Sequence, residues 1–185
     1  MKRIALLASG SGSNAENIIR YFSGNPEYIF PLIVSNKKDA YVHERAKNLD
    51  IPSFTLSKDG FASGELLALL RKFEIDGIVL AGFLLKVPES LIEAYPDKIV
   101  NIHPALLPKY GGKGMYGHYV HEAVVENKET ESGITIHYVN ENYDEGRILF
   151  QAKCPVLPTD SPDDVAAKVH ELEYKYFPEV IAKVF

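Results

Sequence analysis

Short apolar runs with strand character alternate with helix-like stretches along most of this chain. That alternation narrows its possible folds more than any other feature. Ile4–Ala8, Tyr28–Val34, Phe54, Ile78–Ala81 and Ile99–Asn101 are strand-like. Between them, Asn14–Phe22, Tyr41–Asn48, Phe61–Phe73 and Pro88–Ala94 are helical in pattern, each bounded by Gly, Pro, Asn or Asp. Strands that are apolar throughout and separated by helices predict an α/β fold with a mostly parallel sheet covered on both faces, three layers in all. The pattern changes late in the chain. Ser132–Val139 alternates with period two, and Arg147–Val156 follows it after Asn140–Gly146, which predicts two further strands joined antiparallel. Ser161 stands ahead of Pro162, with Asp164 at the third helical position, which marks a capped final helix over about 161–184. At 185 residues, with no repeat, low-complexity tract or linker, the chain is expected to form one domain over 1–185.

Composition excludes several classes of function. A net charge of −5 offers no excess of base for a nucleic-acid backbone, so RNA and DNA are not expected partners. Cys154 is the only cysteine, which rules out an internal disulfide and a cysteine-based metal site and suits a reducing cytoplasm. The start, Met1–Ala8, is too briefly apolar for a signal peptide, and no window is long enough for a membrane span. His118 and His121 lie near Glu122, but no third ligand at metal-binding spacing follows, so no metal is expected.

Two places carry chemistry. Asn101-Ile102-His103-Pro104 ends an apolar run, and side chains two apart on a strand point the same way, so Asn101 and His103 should converge. Pro104 keeps His103 extended, at the strand end where open α/β sheets bind ligands. A strand that merely turns polar before a loop would look the same. The second place is Ser9-Gly10-Ser11-Gly12-Ser13-Asn14, between the first strand and the first helix. Backbone N–H groups and the positive helix end gather there into a nest for an anion. The turn lacks the Gly-Lys-Ser/Thr ending of a nucleoside-triphosphate loop. Gly10-x-Gly12-x-x-Ala15 matches a dinucleotide fingerprint in form, but Ser35-Asn36 stands where a ribose-binding acid is wanted. A single phosphate monoester fits best, and a plain tight turn is the structural alternative.

Taken together, Gly10–Asn14, Ala81-Gly82-Phe83, Asn101–Tyr110, Gly133–His137 and Asp144–Leu149 resemble the phosphoribosylglycinamide formyltransferases, folate-dependent enzymes of purine biosynthesis. The resemblance runs nearly end to end. It implies a Rossmann-like fold, with a phosphate-binding half over about 1–95 and a catalytic and folate-binding part over about 78–150. It also implies transfer of a formyl group from 10-formyltetrahydrofolate, a cosubstrate, to the amine of glycinamide ribonucleotide. The resemblance further implies that no metal or covalent enzyme intermediate takes part. On this view Asn101, His103 and Asp144 are catalytic. An Asn amide and a protonated His suit a developing oxyanion, each such donor being worth about 3–4 kcal/mol. His103 would carry protons, and Asp144, if it approaches, would raise the pKa of His103.

The same resemblance assigns Gly12, Ser13 and Asn14 to the substrate phosphate, and Leu84, Leu85, Lys86 and Val87 to the folate pterin. Asn140, Glu141 and Tyr143 line the other side of that pocket, with Asn101, while Glu173 and His170 are candidates for the ribose. In two places this chain departs from the family's pattern. Phe61–Glu65 holds no basic residue for a folate carboxylate, and Gly111–His118 is a longer, glycine-rich insertion, read either as a flexible cover over the site or as a surface excursion. A formyltetrahydrofolate hydrolase or methionyl-tRNA formyltransferase would share the folate site but bring an extra domain. A non-catalytic nucleotide-binding module would need none of Asn101, His103 and Asp144. The expected partners are therefore small molecules, with the chain a monomer or homodimer.

Overall fold

The computed structural model describes all residues, Met1–Phe185, in two units, Met1–Val100 with Phe185, and Asn101–Val184. The first unit is built on a central parallel strand, β1 (Lys2–Leu7), followed by α1 (Ser13–Tyr21), β2 (Tyr28–Ile29), β3 (Ile33–Ser35), α2 (Val42–Asn48) and β4 (Ser53–Thr55). Then come α3 (Lys58–Ala62), α4 (Glu65–Lys72), β5 (Gly77–Leu80) and α5 (Glu89–Ala94). Strand order is β4-β3-β1-β5, all parallel, with Leu6 opposite Ile33 and Val79, and β2 paired to the start of β1. Having a strand on each side and helices around them, Ile4–Ala8, Ile33, Val34, Ile78 and Val79 are wholly buried. This is why these strands read as unbroken apolar runs rather than as alternation.

β6 (Ile99–His103) leaves the first unit at Val100 and enters the second at Asn101. The second unit adds α6 (His118–Glu126), β7 (Glu131–Tyr138), β8 (Ile148–Pro155) and α7 (Pro162–Val184). β7 and β8 pair antiparallel from Glu131↔Pro155 to His137↔Ile148, with a bulge between Ile136 and His137. α7 packs on α6, β7 and β8, burying Val165, Val169, Phe177 and Ile181. Its start is capped reciprocally: Ser161 Oγ accepts from Asp164 N–H at 3.2 Å, and Asp164 Oδ2 accepts from Ser161 N–H at 2.8 Å. The mostly parallel sheet, its flanking helices and the antiparallel strands near the end follow the sequence expectation.

Three local expectations differ. Tyr28–Val34 is two strands because Pro31, which has no N–H to donate, interrupts it. Phe61–Phe73 is two helices: Ser57 caps the first, accepting from Gly60 N–H at 3.1 Å, and Gly64, at φ 91°, starts the second. α6 was not foreseen, because the glycines of 111–117 mask a helix whose apolar face is Val120 and Val124.

A buried hydroxyl fixes the chain just after β6. Thr135 Oγ1, fully buried on β7, donates to Ala105 O at 2.7 Å and accepts from Leu107 N–H at 3.0 Å and Gln151 Nε2 at 2.9 Å. Thr135→Val keeps the shape but strands those partners. It is expected to lower stability by about 1–3 kcal/mol in urea unfolding, whereas loss of under half that would mean the segment repairs its own bonding.

Candidate active site

In the first unit, β1 runs out into the glycine turn. Ser9 N–H donates to Gly82 O at 3.0 Å. The Ser9 hydroxyl donates to Asn36 Oδ1 at 2.6 Å and accepts Leu84 N–H at 2.9 Å. Asn36, unsuitable for a dinucleotide ribose, thus serves to anchor the turn. Gly12 is the N-cap of α1, at φ 73°, and a Cβ there would lie 2.3 Å from Val42 Cγ2. Both its dihedral and its packing demand glycine. Ser13 and the buried Asn14 open α1, a nine-residue helix whose first turn offers N–H donors. Of the segment expected at a pterin, Leu84 is 40% exposed and Lys86 exposed, Leu85 is half-buried, and Val87 belongs to the core.

In the second unit, four side chains from β6, β7 and the loop after β7 form one polar chain. Asn101 Nδ2 donates to His137 Nε2 at 3.1 Å. His137 Nδ1 lies 2.8 Å from Tyr138 O; a carbonyl only accepts, so Nδ1 bears the hydrogen and Nε2 is the acceptor. Asp144 sits between two rings, Oδ1 3.6 Å from His137 Nε2 and Oδ2 3.6 Å from His103 Nδ1. Its Oδ2 also accepts Gly112 N–H at 2.9 Å, which ties the glycine-rich insertion to the cluster. His103 Nε2 donates to Tyr110 O at 2.7 Å, leaving Nδ1 as the edge that faces the carboxylate. His103 and His137 are 4% and 2% exposed.

The expected meeting of Asp144 with His103 is present, and Asp144 pulls the imidazole pKa up as expected, but it does not set the net direction. Burial pushes the His103 pKa below its ordinary value and outweighs the opposing pull of Asp144 and the Tyr110 carbonyl. His103 is therefore neutral near pH 7. For Asp144, burial alone would raise the pKa; the neighbouring His137 and His103 rings and the Gly112 N–H together hold it below the usual carboxylate range. The result is a half-buried carboxylate between two imidazoles, placed to stabilise a proton taken up by His103. His137 was given no role from sequence. It sits in the alternating strand Ser132–Val139, where polar residues recur and its own role carried no separate mark.

The remaining candidates are not part of that polar chain, although Glu173 acts on the charge of His103. Asn140 Oδ1 accepts Asn142 N–H at 3.0 Å in a local turn, and Glu141 and Tyr143 are exposed. Glu173 is not an ordinary exposed helical Glu: it is buried on α7 and accepts from His170 Nδ1 at 2.8 Å, which raises the His170 pKa. His121, on α6, is 4% exposed and its Nδ1 has no hydrogen-bond partner. His118 is exposed and pairs with Glu122 at 3.2 Å.

Known proteins share this architecture. The formyl transferase family matches residues 2–181. The chloroplastic phosphoribosylglycinamide formyltransferase of Arabidopsis thaliana is 43% identical over 99% of this chain, which spans 65% of that relative's length. The phosphoribosylglycinamide formyltransferase of Haemophilus influenzae is 38% identical, over 98% of this chain and 86% of its own. The crystal structure of glycinamide ribonucleotide transformylase 1 from Geobacillus kaustophilus superposes with a TM-score of 0.90 at 33% identity, covering 100% and 98% of the two chains.

His121 sets a pH limit on the folded state. Burial first, then the His170 charge, push its pKa down to about 4, against an opposing pull from Glu173 and added repulsion from His118 and His103. Between that value and the ordinary 6.5 the unfolded chain binds more protons than the folded one. Stability from this ring is therefore complete above about pH 6.5 and falls toward pH 4, by on the order of 3 kcal/mol. Urea unfolding at pH 7 and pH 4.5 should show that fall, and His121→Leu should flatten it; an unchanged slope would place the titration elsewhere.

Proposed function

The chain belongs to the formyl transferase family, and from that premise we propose that it transfers the formyl group of 10-formyltetrahydrofolate to the amine of glycinamide ribonucleotide. The observation that carries the proposal is the Asn101–His137–Asp144–His103 chain, because phosphate binding alone has no use for it. In this role the amine lone pair attacks the formyl carbon and the carbonyl pair moves to oxygen. Asn101 donates its second amide hydrogen to that oxyanion, while its first stays on His137. The new ammonium gives its proton to His103, neutral and so able to accept, and Asp144 stabilises the resulting imidazolium. His103 then returns a proton to the folate nitrogen as the carbon–nitrogen bond breaks. Protons balance with no metal.

Gly12, Ser13 and Asn14 take the phosphate of the ribonucleotide, and Glu173 with His170 the ribose. Leu84–Val87 receive the pterin through apolar contact and main-chain groups, with Asn140, Glu141 and Tyr143 as further folate contacts. Small molecules as partners, a cytoplasmic setting and a monomer or homodimer complete the reading. A net charge of −5 and a lone cysteine support it, and no helix is long and apolar enough to cross a membrane.

The decisive assay mixes the purified protein with glycinamide ribonucleotide and a 10-formylfolate donor and follows deformylation spectroscopically. Deformylation should require the ribonucleotide; an equal rate without it would identify a hydrolase. His103→Ala should lower kcat by roughly 10²–10⁴ with substrate binding kept, the range for a lost acid–base group. Asp144→Asn should likewise slow turnover. By removing the charge that pulls the His103 pKa up, it should also move the acidic limb of the pH–rate profile to lower pH. Asn14→Ala should act mainly on KM for the ribonucleotide.

A further inference from the structure

The turn that takes the phosphate is gripped from one side by α2. Val42 N–H, at the start of that helix, donates to Gly10 O at 3.1 Å, and the Val42 side chain fills the space a Cβ on Gly12 would need. One helical turn on, the Arg45 guanidinium reaches the next carbonyl: Nε donates to Ser11 O at 2.8 Å and Nη2 to Ser11 Oγ at 3.4 Å. Its Nη1 pairs with Glu16 on α1, and the guanidinium lies 5.0 Å from the Tyr41 ring centroid. Glu16 is in turn held by Arg20 at 2.8 Å. The arginine charge is thus already matched within the protein, which is reflected in the lowered pKa of Glu16, caused first by the Arg45 hydrogen bond.

Peptide geometry gives these contacts a consequence. The bonds Gly10–Ser11 and Ser11–Gly12 are trans. In a trans peptide the C=O and the following N–H point in opposite directions. Drawing the Gly10 and Ser11 carbonyls toward α2 therefore turns the N–H groups of Ser11 and Gly12 away from it, as a nest for an anion requires. Gly12 is in a left-handed conformation against Val42, and Arg45 adds a side-chain bond to the Ser11 carbonyl that restrains the plane of the Ser11–Gly12 peptide.

We propose that Arg45 is a positioning residue for the substrate phosphate: its fork, neutralised by Glu16, holds the Ser11 carbonyl so that Gly12 N–H faces the phosphate. The inference rests on the phosphate reading of the turn. A lysine cannot replace the fork, because one ammonium cannot serve Ser11 O, Ser11 Oγ and Glu16 at their separate directions.

The test compares wild type, Arg45→Lys, Arg45→Ala and Glu16→Gln, with thermal melting recorded for each. Arg45→Lys and Arg45→Ala should raise KM for glycinamide ribonucleotide and Kd for ribose 5-phosphate roughly ten- to a hundredfold, the range for one charge-assisted hydrogen bond. kcat and KM for the formyl donor should stay within about twofold, and guanidinium ion should restore much of the affinity of Arg45→Ala. Glu16→Gln, which keeps Arg45 but frees its charge, should weaken phosphate binding in the same direction. Tighter binding by Glu16→Gln would overturn the proposal in favour of a direct arginine–phosphate contact. Unchanged affinity in variants that melt like wild type would overturn it outright. Wild type that transfers formyl groups without binding ribose 5-phosphate would instead overturn the phosphate reading beneath it. If Arg45→Ala fails to fold, Arg45→Lys and Glu16→Gln still decide the question.

Discussion

A single half-buried carboxylate organises the polar cluster of the second unit. Asp144 touches two imidazoles and one main-chain N–H, and those partners come from β6, β7 and the insertion after Tyr110. Each of these groups would be expensive to bury alone, since an unmatched charge or polar group in a dry interior costs several kcal/mol. Together they share one negative charge. The end of β6, the end of β7 and the glycine-rich insertion are therefore mutually dependent: displacing any one leaves Asp144 short of a partner. The bulge at Ile136/His137 belongs to the same arrangement, because it re-aims the strand at the point where His137 must meet Asn101.

The first unit solves a different problem with main chain rather than side-chain charge. Its parallel strands are apolar on both faces, so they can present function only where they stop. β1 stops against Ser9, whose hydroxyl links Asn36 and Leu84, and the glycine turn that follows is shaped by carbonyls bonded away to α2. Charge in this unit is spent on holding backbone. The groups it leaves outward are N–H donors at a helix start, the kind that suits an anion.

How much of this the sequence disclosed follows from what each feature depends on. The parallel sheet was legible because burial on both faces leaves its mark in every strand residue. The capped start of α7 was legible because Ser161, Pro162 and Asp164 act over a few positions. Pro31 and Gly64 carried local information that outweighed the run of apolar residues around each. α6 was hidden, since its apolar face is narrow and its N-terminal side is all glycine and polar residues. Asn101, His103 and Asp144 could be named from their pattern, yet the direction of the His103 pKa could not. It depends on how much protein surrounds the ring, a quantity that composition and spacing do not record. His137 was missed because its partner lies on another strand.

The bond from His103 Nε2 to the Tyr110 carbonyl has a kinetic consequence. A ring with one nitrogen fastened to main chain has a single seat for a mobile proton, at Nδ1. Whatever enters there must leave from there before another can arrive. In formyl transfer the proton lifted from the attacking amine would then be the same particle delivered to the departing nitrogen, passed from one substrate to the other without visiting bulk water.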